Sequence, residues 1–332
     1  MSDLSDQDVL RESRKYTRRS FAIAAAAAAA GWGFYEWIDS SREIDRQPEL
    51  LRRAFQFNSR LSQTVFNDRA LAPTYSLRRA EDLRVNGIYG LKQTLDADSW
   101  RLQMTGVANP RKYGQYTEDV TAWEYRYTEA KTKEDQGHDT KVDPAANTAR
   151  KMAPADMVAG EEMRQQRTQR MPRGGEEAGE SKSTLAPGTP GLLLTMDDIL
   201  KFPKHEMVTQ FKCIEGWSQF AHWKGVRLSD LIAAYPPARG TNGRLPRYVY
   251  METPNGDYYV GYDMHACLHP QTLLVTELGG TPLTQYHGAP LRLHTPAKYG
   301  YKQIKRIGLI AYTDIKPDDY WTKLGYDWYA GL

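Results

Sequence analysis

Cysteine is scarce in this chain of 332 residues, where only Cys213 and Cys267 occur. Two thiols cannot build a disulfide framework, and without a CxxC run or a Cys/His cluster no structural zinc motif is present. The CxxCH run that attaches haem is missing as well. Charge of one sign is not in excess: 44 basic and 41 acidic residues leave a formal net charge of +3, which argues against a nucleic-acid surface. GxxxxGK[ST] and GxGxxG are absent, so the common nucleotide folds lose their signature. The length that remains is enough for one large domain or two ordinary ones with a sizeable core.

Long apolar runs are also few, and the one extended uncharged stretch lies near the N-terminus. Arg14, Lys15, Arg18 and Arg19 precede a run from Ser20 to Tyr35, which is targeting architecture. The pair Arg18-Arg19, flanked by Thr17 and Ser20-Phe21, is similar to a twin-arginine export signal, a route taken by proteins already folded around their cofactors. Extended to Ile38, the run reaches the minimum of roughly 17 residues for a transmembrane helix. Ala28-Ala29-Ala30 offers cleavage as the alternative, and an Ala-rich soluble helix is a third. The reading adopted is a retained membrane anchor, with the body on the periplasmic or extracytoplasmic side.

The expected organisation is a signal or anchor over 1–40, an amphipathic helix and connector over 41–84, and a main domain over 85–332. Apolar residues at helical spacing, Leu51, Ala54, Phe55, Leu61 and Val65, define the helix. Packing on the body is its default role, with a membrane surface or a partner as alternatives. Within the main domain, 112–188 reads as a polar insertion with too little apolar surface to offset its ordering entropy. Thr195 and Asp198 form a capping-box signature. "WRLQMTGV", "EMVTQFKC", "RYVYMET", "DYYVGY", "QTLLVTEL", "PLRLHT" and "IKRIGLIAYT" read as short strands, and "RLSDLIAAY" as a helix. The class is α+β, mostly strands in mixed sheets.

Two constellations can carry chemistry. In "FKCIEGWS", strand alternation puts Met207, Thr209, Phe211 and Cys213 on one face, with the thiol where strand becomes loop. A lone cysteine there is either a small buried hydrophobe or a thiolate ligand. In "HGAPLRLHTPAKYGYKQIKRI", His287, Arg292, His294, Lys298, Lys302, Lys305 and Arg306 sit among glycines and prolines. Such a basic loop suits a phosphate, and a solvated strand face is the plain alternative.

Together these segments resemble the sulfite-oxidase-type molybdopterin fold. Cys-x-Glu-x-Trp-Ser and Lys-Tyr-Gly-aromatic-Lys are most similar to the molybdenum catalytic subunits of periplasmic methionine-sulfoxide reductases. The resemblance covers about Val85 to Gly106 and Leu193 to Thr313. It implies molybdenum-molybdopterin as cofactor and Cys213 as the metal ligand. It also implies cofactor contacts from Arg292, Lys302, Gly300, Tyr301 and His287, and from Asn86, Tyr89 and Gly90 in "VNGIYG". Thr253, Tyr89 and Trp217 would shape the pocket. Gly90 departs from the acidic residue of the reductase loop. Glu215, Gly216, Trp217 and Ser218 follow the cysteine in place of the basic residues with which sulfite oxidisers hold an anion, so a neutral sulfoxide or N-oxide is the expected small-molecule substrate. Electrons would come from a membrane cytochrome or quinol-linked donor. The rival readings are a sulfite-oxidising enzyme, a non-catalytic binding protein of the same fold, and a structural domain with a Cys213–Cys267 disulfide.

Overall fold

The computed structural model describes residues 23, 26–44, 47–65, 70–128, 185–240 and 242–332. The Arg18-Arg19 pair and most of the expected polar insertion lie outside the described residues. Eleven strands form the two main sheets. They are β1 Leu102–Thr105, β2 Tyr116–Thr117, β3 Gly191–Leu194, β4 Lys204–Lys212, β5 Ser218–Arg227 and β6 Tyr248–Glu252. β7 Tyr259–Asp263, β8 Leu273–Leu278, β9 Thr281–Pro282, β10 Arg292–His294 and β11 Leu309–Thr313 complete them. The helices are α1 Glu49–Val65, α2 Met196–Leu200, α3 Leu228–Ala234, α4 Met264–Leu268 and α5 Tyr320–Lys323.

The first sheet runs β7-β6-β11-β1-β3-β2 and is mixed, because β11 and β1 pair in parallel while its other neighbours are antiparallel. The second runs β9-β8-β5-β4, with β10 also on β8, and is antiparallel throughout. One core cluster joins them, drawing Met104, Leu192, Val249 and Ile310 from the first sheet and Val226, Leu274 and Leu293 from the second. Each of these side chains is fully buried, which stabilises the fold by about 1.5–3 kcal/mol apiece. The capping box at α2 is formed: the Thr195 hydroxyl accepts from the Asp198 N–H, and Asp198 accepts from Thr195 in return.

Two elements position the site. β4 and β5 pair from Lys204↔Val226 to Lys212↔Ser218, and the Cys213 N–H donates to Trp217 O at 2.9 Å to close their turn. Gly216, at φ +90°, supplies the left-handed residue that this closure needs. Residues 70–84 then run along the hairpin as a strap. Tyr75 N–H donates to Val208 O, Glu81 N–H to Phe220 O, and Arg84 N–H to the Gln219 side chain. The strap delivers the Asn86–Gly90 loop to the Cys213 turn.

Two expectations about the elements differ from the structure. The expected insertion begins too early, because residues 113–128 belong to the body. There β2 pairs with β3, Tyr113 donates to Ala234 O, and the Trp123 indole donates to Ser99 O. Their aromatic rings give this stretch the buriable surface that the average composition of 112–188 conceals. The second difference is α1, whose apolar side is not packed on the body: Phe57 is 66% and Leu61 52% exposed. A helix also runs over 26–39, but no helix among the described residues is long and apolar enough to cross a membrane.

Candidate active site

Cys213 is buried at the end of β4, with Phe211 beneath it and Trp217 packed on Phe211 at 5.7 Å between ring centroids. The Asn86 amide donates to its Sγ at 3.7 Å. Burial pushes the thiol pKa up, and the Glu215 carboxylate acts in the same direction against hydrogen bonds from the Glu215 backbone and Asn86. Without a bound cation this group is therefore a thiol, and metal binding would have to displace its proton. Cys213 and Cys267 are both free, so the structural disulfide is not formed. Among the described residues no three His, Cys, Asp or Glu side chains gather to hold a metal. A metal at Cys213 would take its other ligands largely from a non-protein group.

Three cations converge on the loops around this thiol, and among the described residues none of them has a carboxylate within ion-pairing distance. Arg292 is 1% exposed, lies over the Trp223 ring at 5.0 Å, donates to His287 O, and leaves Nε without a hydrogen-bond partner. Burial alone lowers its pKa to about 9. Lys305 reaches the carbonyls of Asn86 at 2.5 Å and Gly87 at 3.0 Å, and burial followed by the Arg292 charge lowers its pKa to about 7. Arg306 clasps two loops, donating to Gly90 O and Gln93 O on one side and to Ala289 O on the other, while its remaining terminal nitrogen has no partner. Buried cations held only by carbonyls are costly unless an anion joins them. A phosphate-bearing ligand fits this arrangement, and a dithiolene on the same ligand would complete the metal site at Cys213.

Lys302, expected beside Arg292 at the phosphate, is placed elsewhere. Its ammonium is buried against Asp319 Oδ2 at 2.5 Å and Gly261 O at 2.6 Å, over the rings of Tyr262 and Trp328. Lys305, three residues on, is the lysine of this loop that reaches the Asn86–Gly87 backbone beside the thiol. Gly300 works by close approach: an added Cβ would stand 2.3 Å from Phe211 Cζ, so only glycine lets the Lys298–Arg306 loop reach the floor of the thiol.

The remaining expected residues fall into two groups. Asn86, Tyr89, Gly90 and Trp217 surround the mouth. Tyr89 stands among Tyr258, Tyr320 and Trp321, with centroids 5.3–5.9 Å away, and burial raises its pKa, with Glu215 adding to the shift. The Trp217 indole donates to Glu215 at 2.9 Å, and Arg84 stacks over its ring. Gly90 presses against Thr253, where an added Cβ would meet the threonine methyl at 2.5 Å. His287, Thr253 and Tyr301 instead have their polar atoms engaged by the protein. His287 bonds Thr284 and Leu83 O, Thr253 bonds Asn255 and the Tyr258 backbone, and the Tyr301 hydroxyl donates to Asp327 O. His294 is likewise internal: it accepts from Thr209, donates to Gln303, stacks on Trp223 at 4.2 Å, and burial lowers its pKa to about 3. A cleft of about 270 Å³ among residues 70–73, 295–298 and 329–332 is lined by Lys212 and Lys298 but not by Cys213, Asn86, Arg292 or Lys305, so it is separate from this site.

A buried thiol on a hairpin turn with cations behind it that lack carboxylate partners among the described residues would suit a pterin–metal group, and the family comparison bears on that class. Residues 188–321 match the oxidoreductase molybdopterin binding domain, so the chain carries an oxidoreductase domain of that class, whose cofactor contains molybdenum. Among particular proteins, it is similar to the protein-methionine-sulfoxide reductase catalytic subunit MsrP of Xanthomonas axonopodis pv. citri, with 34% identity over 143 residues, 40% of this chain and 44% of that one. The MsrP catalytic subunit of Campylobacter jejuni subsp. jejuni is 33% identical over 157 residues, 42% of this chain and 52% of that one. The chain spans about half the length of these curated relatives. The solved sulfane dehydrogenase SoxCD from Paracoccus pantotrophus is 20% identical with a TM-score of 0.34 over 38% of this chain and 36% of that one, too partial a likeness to argue from.

Proposed function

We propose that this protein is an exported molybdenum-molybdopterin oxidoreductase that reduces a sulfoxide or N-oxide, taking electrons from a membrane cytochrome or quinol-linked donor. The observation that carries the reading is the Cys213 thiol facing Asn86, with Arg292 and Lys305 nearby and without carboxylate partners. In this reading Cys213 Sγ ligates the metal, while Arg292, Lys305 and the Gly300 loop hold the pterin phosphate. When bound, the cofactor supplies the two-electron couple and the acceptor for the substrate oxygen.

The chain's own residues then divide the remaining work. Asn86 holds Sγ in place through its amide. Tyr89, with its pKa raised, keeps its phenolic proton at neutral pH and can donate it as a hydrogen bond to an oxygen at the centre. Aromatic walls from Tyr89, Trp217 and Trp321 limit water. The Glu215 carboxylate, close enough to raise the pKa values of both Cys213 and Tyr89, opposes an anion such as sulfite at the mouth. Support for export and a membrane donor comes from the Arg18-Arg19 segment and from the absence of a haem motif in the sequence.

The test is metal and pterin analysis of protein made in a host that synthesises molybdopterin, followed by reduced-dye assays with methionine sulfoxide, dimethyl sulfoxide, trimethylamine N-oxide and sulfite. Stoichiometric molybdenum is expected in the wild type and none in Cys213→Ala, with activity at least about a hundredfold lower, as removal of a metal's protein ligand demands. Turnover of sulfite alone would reverse the assignment, and folded wild-type protein without metal or pterin would end it.

A further inference from the structure

Helix α1, Glu49–Val65, lies outside the catalytic machinery, and it is amphipathic, with Asn58 the polar residue that interrupts its apolar side. Around a 3.6-residue helix, Leu50, Ala54, Phe57 and Leu61 fall on one side, with Leu51 and Phe55 at its border. Arg52, Arg53, Gln56 and Arg60 fall on the other. The apolar side faces solvent: Phe57, Leu61 and Phe55 are 66%, 52% and 38% exposed. Among the described residues, α1 makes its main contact with the strand segment Gln47–Pro48. Charge is one-signed along the helix beyond its first turn. Glu49 is its sole acid and is already paired with Arg53 at 2.6 Å. The helix over 26–39, just upstream, carries the acids Glu36 and Asp39 and exposes Trp32, Phe34, Tyr35 and Trp37.

We infer that α1 lies flat on an anionic lipid surface, with Phe57 and Leu61 in the acyl boundary and Arg60 at the headgroups. Two observations favour lipid over a protein groove. An amphipathic helix with arginines and no free acid on its polar side complements an anionic surface. The exposed Trp and Tyr side chains upstream are those that settle at a membrane interface, with ring in the boundary and polar atom toward water. The strap over 70–84 follows α1 in the chain and leads to the Asn86 loop, so a surface seat at α1 would keep the site close to the bilayer.

The experiment uses the full chain on vesicles of phosphatidylglycerol and phosphatidylcholine. A nitroxide is placed at Leu61→Cys or at Gln56→Cys, with the unsubstituted chain controlling for labelling of Cys213 and Cys267. Expected is a Leu61 probe relaxed mainly by dissolved oxygen and a Gln56 probe relaxed mainly by a water-soluble nickel chelate, with severalfold opposite accessibility ratios. Arg60→Gln should weaken that lipid signature about fivefold, the worth of one arginine near an anionic surface. Equal water exposure of both probes would overturn the inference. So would a Leu61 probe shielded from both reagents, which would mark a second copy or the body as the occupant. Molybdenum content and turnover should be unchanged in these variants, which separates this inference from the functional proposal.

Discussion

At the scale of single residues, the decisive distinction is between two lysines three positions apart. Lys305 has only carbonyls and the site for company, whereas Lys302 is neutralised by Asp319. Lys305→Met is therefore expected to weaken cofactor retention about ten- to a hundredfold, the worth of a charge-assisted hydrogen bond, while leaving the empty protein at least as stable. Pterin release on dilution and thermal unfolding of the cofactor-free protein measure the two effects. His294 gives a pH prediction. Its folded pKa, about 3, lies below the unfolded value near 6.5, so from pH 6.5 downward the unfolded chain takes up a proton that the native state refuses. Stability from this group is full above pH 6.5 and falls as pH drops toward 3, by about 2 kcal/mol at pH 5. Denaturant unfolding at pH 7 and pH 5, in the wild type and in His294→Phe, should show a smaller pH dependence in the variant.

At the scale of elements, what was legible in the sequence followed from local pattern. "EMVTQFKC" alternates and becomes β4, and "RLSDLIAAY" becomes α3. Cys213 could be placed at a strand end because the alternation stops at Gly216. β5 escaped notice, although it is one of the longest strands, because its buried positions Ala221, Trp223 and Gly225 are too uneven in size to read as an apolar stripe. The Lys298–Arg306 loop has no period at all, so which of its lysines points inward could not be read from spacing. That choice is made by Gly300 against Phe211 and by Arg306, whose φ of +52° turns the chain. Gly300→Ala should consequently lift the loop from the hairpin, lowering stability by about 1–3 kcal/mol as overpacking does. Faster proteolysis within 298–306 and loss of pterin retention, with β-sheet circular dichroism preserved, would mark the effect as local.

At the scale of the whole molecule, Lys302 and Asp319 join parts that no local pattern connects. One ammonium links β7 through Gly261 O, the loop after β10 and the start of α5, and both side chains are essentially solvent-free. The pairing was invisible in the sequence because its meaning depends on depth, and depth is set by the packing of all three. Asp319→Ala should destabilise the fold by about 3–5 kcal/mol, since it strands a buried cation. Asp319→Leu combined with Lys302→Met should recover most of that loss. A double-mutant cycle in urea checks this, and an additive outcome would mean the pair is not coupled.

The sheet edge at β2 and β3 carries a different consequence. β2 and β3 are neighbours, with Tyr116 beside Leu192 and the Val120 N–H on Thr189 O, and the described chain then runs on to Tyr127–Thr128, which pairs with Thr94–Leu95. Because the body on either side of residues 129–184 is held by its own pairings, the chain length between them weighs little on the fold: doubling a loop whose ends are held adds only about 0.6 kcal/mol. Removing or adding residues between 128 and 185 should therefore leave denaturant unfolding of the body nearly unchanged.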